Sequence, residues 1–425
     1  MALFLFPAFW HQSRSFLRSF CFFVYLNQFH AVTAAKERSV SMKQCQDGYY
    51  DNFRNLPNML NYFEMQHKAS VWKNCAVPQL RVVPLDTATP ANRGEYAAGV
   101  SDYAIADTAD NIGLAAAIKD PSTSLGAYYP IRDTAYKSLL DRAKINGTVL
   151  PKLSREVLAN TLNECLAVHT KSNALVLIRD EKINAFHSGD VADYSVLPVP
   201  ELLNALVSSI NKRFEDAKFI NGYTDHSICI AEFTFPAQRE EIMERYEKAL
   251  VSPSQKALAE KLVPGVFFAT SDTGVSAARI SARLTGLKHP IPIGEVLSVD
   301  HRNNSKVSDF KDQLDMVFSK FHDTVDQLTK LLGITLTNPV NAMTGICKRL
   351  SLPKKPALEA INMFGVTNGT NPASAHDVFF ALQEILFLLK IADYPQSKIF
   401  SVEETLTRAL TINWKRFDVP GTVSY

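Results

Sequence analysis

The chain contains no Gly-x-Ser-x-Gly elbow, no glycine-rich phosphate loop ending in Gly-Lys-Ser/Thr and no dinucleotide fingerprint. Without them there is no sequence ground for an α/β-hydrolase, a P-loop nucleotidase or a Rossmann dehydrogenase. Paired cysteines are missing as well. The six cysteines, at 21, 45, 75, 165, 229 and 347, lie far apart with no Cys-x-x-Cys. That spacing argues against a zinc knuckle or a disulfide scaffold and suits a reducing compartment. Charge of one sign is scarce: 45 Lys and Arg against 43 Asp and Glu leave a formal +2. Any nucleic-acid contact must therefore be a local patch, not a basic coat. No internal repeat or low-complexity tract interrupts the 425 residues, and 46% hydrophobic with 21% charged content is the composition of a folded chain. The length suits one large domain or two to three ordinary ones.

Long hydrophobic runs are also few. The N-terminal extension, 1–41, carries Arg14 and Arg18, an apolar run over 20–26, and Val32-Thr33-Ala34, a loose match to a signal-peptidase site. The run is shorter than the roughly 20 residues of a membrane span, and Gln12, Asn27 and Gln28 flank it. Two readings stand: a secretory signal, or a start site placed upstream of a true start at Met42. The remainder reads as cytoplasmic, with no membrane segment in the mature chain.

What is present is patterned apolar sequence. Residues 42–125 alternate weakly and are expected to form strands and loops. From 126 to 286 the pattern predicts an α+β domain. Helices are expected over 132–145, closed by Gly147, and over 154–169, capped by Ser154, with Val157, Leu158, Leu162, Cys165, Leu166 and Val168 inward. Arg179-Asp180-Glu181-Lys182 joins two strands as a hairpin, Pro198 and Pro200 open a helix, and further strands are expected over 217–223, 227–235, 266–269 and 275–284. The fold class is therefore α+β, a largely antiparallel sheet with packed helices, followed by a helical C-terminal region, 295–425. Pro290, Pro292 and Gly294 mark the boundary between the two. Beyond it Val307, Phe310, Leu314, Val317, Phe321, Leu328 and Leu331 follow a seven-residue repeat, either a coiled-coil seam or a face packed within the fold. Few charge pairs flank it, which favours packing within the fold. Further helices are expected over 371–389 and 401–414.

Candidate chemistry is sparse. Asp272-Thr273-Gly274 matches the core of an aspartic-protease motif, in which two carboxylates share a proton. Thr270 and Ser271 stand where that motif has apolar residues, and a hairpin turn explains Asp and Gly equally. His187 with Asp190 and Asp193, and Asp300 with His301, form weak metal constellations. His376, in the first turn of a helix, suits packing or capping. No residue set calls for a cofactor. Arg279 and Arg283 fall on one strand face about 13 Å apart. With Lys288 and Arg302 they are the candidate phosphate-contacting residues, against the alternative of a solvated sheet face.

Taken in order, residues 130–136, 174–188, Tyr194-Ser195-Val196-Leu197-Pro198, 271–283, the helix after Val299 and the helix over 371–389 resemble the phage/plasmid-like protein family of unknown function. The resemblance spans 126–416. It departs where that family carries Arg-Val-x-Cys-x-Asn, a place occupied here by Pro292-Ile293-Gly294-Glu295-Val296-Leu297. It implies a cytoplasmic accessory protein of a mobile element and supplies no catalytic residue. The expectation is a non-enzymatic protein that contacts DNA or RNA, or other proteins of the same element. The alternatives are a hydrolase using Asp272 or a metal at His187 and Asp190, and an assembly protein forming homo-oligomers through 307–331.

Overall fold

The computed structural model describes residues 44–85, 96–118, 127–287 and 290–425. The 1–41 extension, with the choice between Met1 and Met42, lies outside the described residues, as does Lys288.

Strands β1 (Tyr50–Phe53), β8 (Lys218–Asp225), β9 (Cys229–Thr234), β10 (Val263–Thr270), β11 (Ala278–Thr285) and β12 (Ile291–Val299) form one antiparallel sheet in that order. The run Val266-Phe267-Phe268-Ala269 is continuously apolar because both of its faces are covered. Val266 and Phe268 point into the main core, whereas Phe267 and Ala269 pack with Phe400 on the other side. On β11 the two-residue alternation sends Ile280, Ala282 and Leu284 to the main core and leaves Arg279, Ser281 and Arg283 on the opposite face.

The expected boundary at 287–294 is instead the start of edge strand β12, paired antiparallel with β11. Pro292 is tolerated because an edge strand has one unpaired side. Gly294 adopts φ +72°, and a Cβ there would meet the Thr324 methyl at 2.5 Å. The Pro/Gly content reflects an irregular edge packed closely under a helix, not a linker.

Two three-stranded antiparallel sheets sit beside this one. The first joins β2 (Val71–Ala76), β6 (Asn173–Arg179) and β7 (Lys182–Ser188), and the second joins β3 (Arg81–Pro84), β4 (Leu114–Ile118) and β5 (Ala127–Pro130). Asp180 and Glu181 take φ +49° and +67°, the left-handed pair of a tight two-residue hairpin. The N-terminal region is more helical than its weak pattern predicts, with α1 (Leu56–Ala69) and α2 (Asp102–Asp110). In α1 only Met59 and Phe63 are buried, too few for a readable stripe.

Helices α3 (Tyr136–Ala143) and α4 (Arg155–Ala167) close the second core. Lys144, at φ +52°, takes the left-handed cap in place of the expected Gly147. Ser154 caps α4 as expected, while Val157 and Val168 point outward. Helices α5 (Val199–Arg213), α6 (Arg239–Ala249) and α7 (Pro253–Ala259) cover the large sheet.

The helical period after Val307 breaks at Lys320 into α8 (Val307–Ser319) and α9 (Phe321–Leu332). Phe310, Leu314, Val317, Phe321, Leu328 and Leu331 are all buried in the main core, so the heptad face is consumed within the fold. The rest is α10 (Pro339–Arg349), α11 (Lys354–Asn368), α12 (Ala375–Leu382), α13 (Glu384–Ile391) and α14 (Gln396–Thr407). One buried cluster runs from Phe53 to Trp414, so sheet and C-terminal helices share a core. No helix among the described residues is long and apolar enough to cross a membrane.

Candidate functional site

The predicted basic face lies beneath α14. Arg283 is 5% exposed and donates to Glu232 on β9 at 2.7 Å and to Glu403 on α14. Its guanidinium sits 3.6 Å from the centroid of Phe267. Arg279 pairs with Glu404 at 2.5 Å. The face is therefore neither a phosphate track nor a solvated surface: each arginine is already matched by a carboxylate from elsewhere in the chain. Arg302 is exposed, 3.8 Å from Asp300, and does not join the other two in any ion pair.

The Asp272 turn is a buried docking point between sheets. The Asp272 carboxylate accepts from Arg179 on β6 at 2.5 Å, with side chains only 8% and 10% exposed. The Asp272 carbonyl accepts from His187 Nε2 at 2.7 Å and from the Tyr194 hydroxyl at 3.0 Å. A carbonyl only accepts, so the His187 proton is on Nε2. Burial, opposed in part by that bond, pushes the His187 pKa down to about 4. The His187 and Tyr194 rings stack at 3.5 Å, and His301 stacks beyond Tyr194 at 5.7 Å. A carboxylate tied to arginine in this way is not placed to meet a second copy across a two-fold axis. The free space beside it, between Gln66, Arg179, His226 and Ser271, is about 10 Å³, the room of a single water.

The remaining chemical candidates are likewise occupied. Asp193 accepts from Ser188 and Asp190 from the Ala192 amide, so they turn away from His187 into their own loop. No three His, Cys, Asp or Glu side chains among the described residues come together as a metal set. His376 is buried and bonded through Nε2 to the Tyr246 hydroxyl at 2.7 Å. The polar hairpin is a charge hub: besides Arg179, Lys182 is fully buried and bonds Asp47 at 2.8 Å and Asp107 at 2.5 Å.

Unmatched charge gathers elsewhere, where α10 meets α11. Lys348 and Arg349 end α10, Lys354 and Lys355 begin α11, and Lys415 and Arg416 lie on the short helical turn Trp414–Phe417 that packs on α10. Phe417 makes that contact, coming within 2.8 Å of where a Cβ on Gly345 would be. All six cations are exposed. Among the described residues only Lys415 has a carboxylate within ion-pair distance, Asp418 at 3.7 Å, and Lys348 donates to the Ser424 carbonyl at 2.9 Å, which leaves Arg349, Lys354, Lys355 and Arg416 unmatched. The first turn of α11 holds no acidic residue and its cap, Pro353, has no capping side chain. Two lysines there oppose the helix dipole, an arrangement that favours an anion in front of them. The sequence signal available was the pair of dibasic steps flanking Leu350-Ser351-Leu352-Pro353, which a search centred on strand arginines passes over.

Comparison of the chain with protein-family models, with curated proteins and with solved structures gives no match.

Proposed function

We propose that this protein is a non-enzymatic, cytoplasmic nucleic-acid-binding protein whose contact surface is the α10–α11 corner. The observation that carries the reading is the contrast in charge pairing. Arginines on the sheet are neutralised by Glu232, Glu403 and Glu404, whereas Arg349, Lys354, Lys355 and Arg416 stand exposed with no carboxylate within ion-pair distance among the described residues. Unpaired clustered cations repel one another, and a polyanion relieves that repulsion while releasing its counterions. On a near-neutral chain a polyanion is drawn to such a local patch. Cys75, Cys165, Cys229 and Cys347 form no disulfide with one another, in keeping with a reducing compartment. The segment order described above supports a mobile-element setting.

The test replaces Arg349, Lys354, Lys355 and Arg416 with Ala together and measures binding to labelled 20-base-pair duplex DNA and to 20-nucleotide single-stranded DNA and RNA by fluorescence anisotropy across salt concentrations. The slope of log K against log salt should become shallower by about 3 to 4 on duplex DNA and by about 3 on single strands, with binding at about 0.1 M salt at least about 100-fold weaker. An unmodified protein that binds no nucleic acid, or a quadruple variant that binds equally, overturns the reading.

A further inference from the structure

The corner has a more specific shape than a patch of cations. Helices α10 and α11 are joined by only four residues, Leu350-Ser351-Leu352-Pro353. Ser351 takes φ +53°, the left-handed conformation that lets a chain turn sharply between two helices. Leu352, next in line, is 5% exposed and anchors the turn in the core. Inward positions on both helices are fixed: Ile346 and Cys347 on α10, Ala357, Ala360 and Ile361 on α11. The alanines on α11 let it lie close against its neighbours.

Its other face is left uncovered. Lys354, Lys355, Leu358, Glu359, Asn362, Met363, Val366 and Thr367 form one exposed stripe along the 15-residue helix, about 22 Å long at 1.5 Å per residue. That stripe is unusual for a solvent face, because Leu358, Met363 and Val366 are 36%, 45% and 88% exposed. Cations sit at one end, and the Glu359 carboxylate, apolar groups and an amide follow.

We infer that α10 and α11 form a helix-turn-helix unit that reads double-stranded DNA, with α11 lying in the major groove. This rests on the nucleic-acid reading above and narrows it to duplex DNA. Charge complementarity selects the occupant: Arg349, Lys354, Lys355 and Arg416 face the phosphates. The groove admits a helix of this size, and its floor offers the matching partners for the stripe. Asn362 presents an amide, the group that pairs bidentately with the N6 and N7 edge of adenine. Met363 and Val366 offer apolar contact to thymine methyls, and Glu359 can accept from the cytosine amino group. A single-stranded ligand would instead call for exposed aromatic rings, and the stripe has none.

The test compares binding to a 20-base-pair random duplex DNA with binding to 20-nucleotide single-stranded DNA and RNA, then enriches a random duplex pool on the full protein. Duplex should bind at least about tenfold tighter, and the pool should converge on a short motif containing adenine. Asn362→Ala, at an exposed position, should keep the wild-type melting curve but relax the preference at one base pair by about tenfold. Val366→Ser should weaken selection at a thymine without altering the salt slope. Tighter binding to single strands, a pool that never converges, or an Asn362→Ala protein selecting an unchanged motif overturns the inference while leaving the nucleic-acid reading in place. Absence of binding to every probe overturns both.

Discussion

Replacing Arg283 with Ala separates a buried ionic link from a binding surface. The Arg283 side chain is 6% exposed, Glu403 9% and Glu232 23%, with Arg283–Glu232 at 2.7 Å. Removing the cation leaves two carboxylates facing each other under α14 with little water to screen them. Breaking a buried pair from one side costs about 3–5 kcal/mol, because the surviving charge is uncompensated. The lost contact with the Phe267 face, at 3.6 Å, adds about 1 kcal/mol. The sum, about 4–6 kcal/mol, is a large share of the total stability of a typical domain. An arginine held on the surface for phosphate contact would cost under about 0.5 kcal/mol when removed. Urea denaturation followed by tryptophan fluorescence reads the difference. Because Glu403 anchors α14, and Phe400 on that helix covers Phe267, the variant should lose α14 protection in hydrogen exchange before the rest. A triple change, Arg283→Met with Glu403→Leu and Glu232→Gln, should recover much of the loss, since apolar packing replaces a pair that is costly to desolvate. A stability change below about 1 kcal/mol for Arg283→Ala would refute the argument and return the face to the list of binding surfaces.

Two further outcomes follow from the same core. His187 is held to a pKa of about 4 by burial, and His226 to about 2 by burial and by the nearby Arg132. Both rings stay neutral in the native protein, while the unfolded chain takes up protons below about pH 6.5. The unfolded state therefore binds more protons, and stability falls as pH drops from about 6.5 toward 4, by about 1.4 kcal/mol per pH unit for each histidine. Urea midpoints measured across that window should fall, and more gently in His226→Gln; a flat profile contradicts the assigned burial. Phe321→Lys places an unpaired charge at a 1% exposed position of the shared core, so it should abolish the fold at a cost above about 4 kcal/mol. Circular dichroism with gel filtration checks this, and a folded species of smaller assembly size would mean that the heptad face is an interface after all.

How legible each feature was depended on whether its cause was local. The hairpin at Asp180-Glu181, the cap at Ser154, the helix opened by Pro198 and the alternation on β11 all follow from short-range rules, and the structure contains them. Helix α1 is not legible in the pattern because it buries only two residues. The start of strand β12 reads as a boundary because Pro and Gly are punctuation in the interior of an element but permitted at a sheet edge. The sheet arginines misled for a different reason: their counterions, Glu403 and Glu404, lie about 120 residues later, and nothing in the local pattern announces that α14 covers that face.

The amino-acid sequence alone determines that this is an α+β protein with a largely antiparallel sheet, a helical C-terminal part and almost no net charge, because periodicity, turn residues and composition act over a few residues at a time. Only the tertiary structure decides which charges are satisfied. Pairing depends on distances between elements remote in sequence, and the same arginine is a ligand contact or a core residue according to whether a glutamate arrives beside it. That pairing removes Arg279 and Arg283 from the surface chemistry and leaves the α10–α11 corner, with its four unmatched cations and its exposed helix face, as the place to look for a partner.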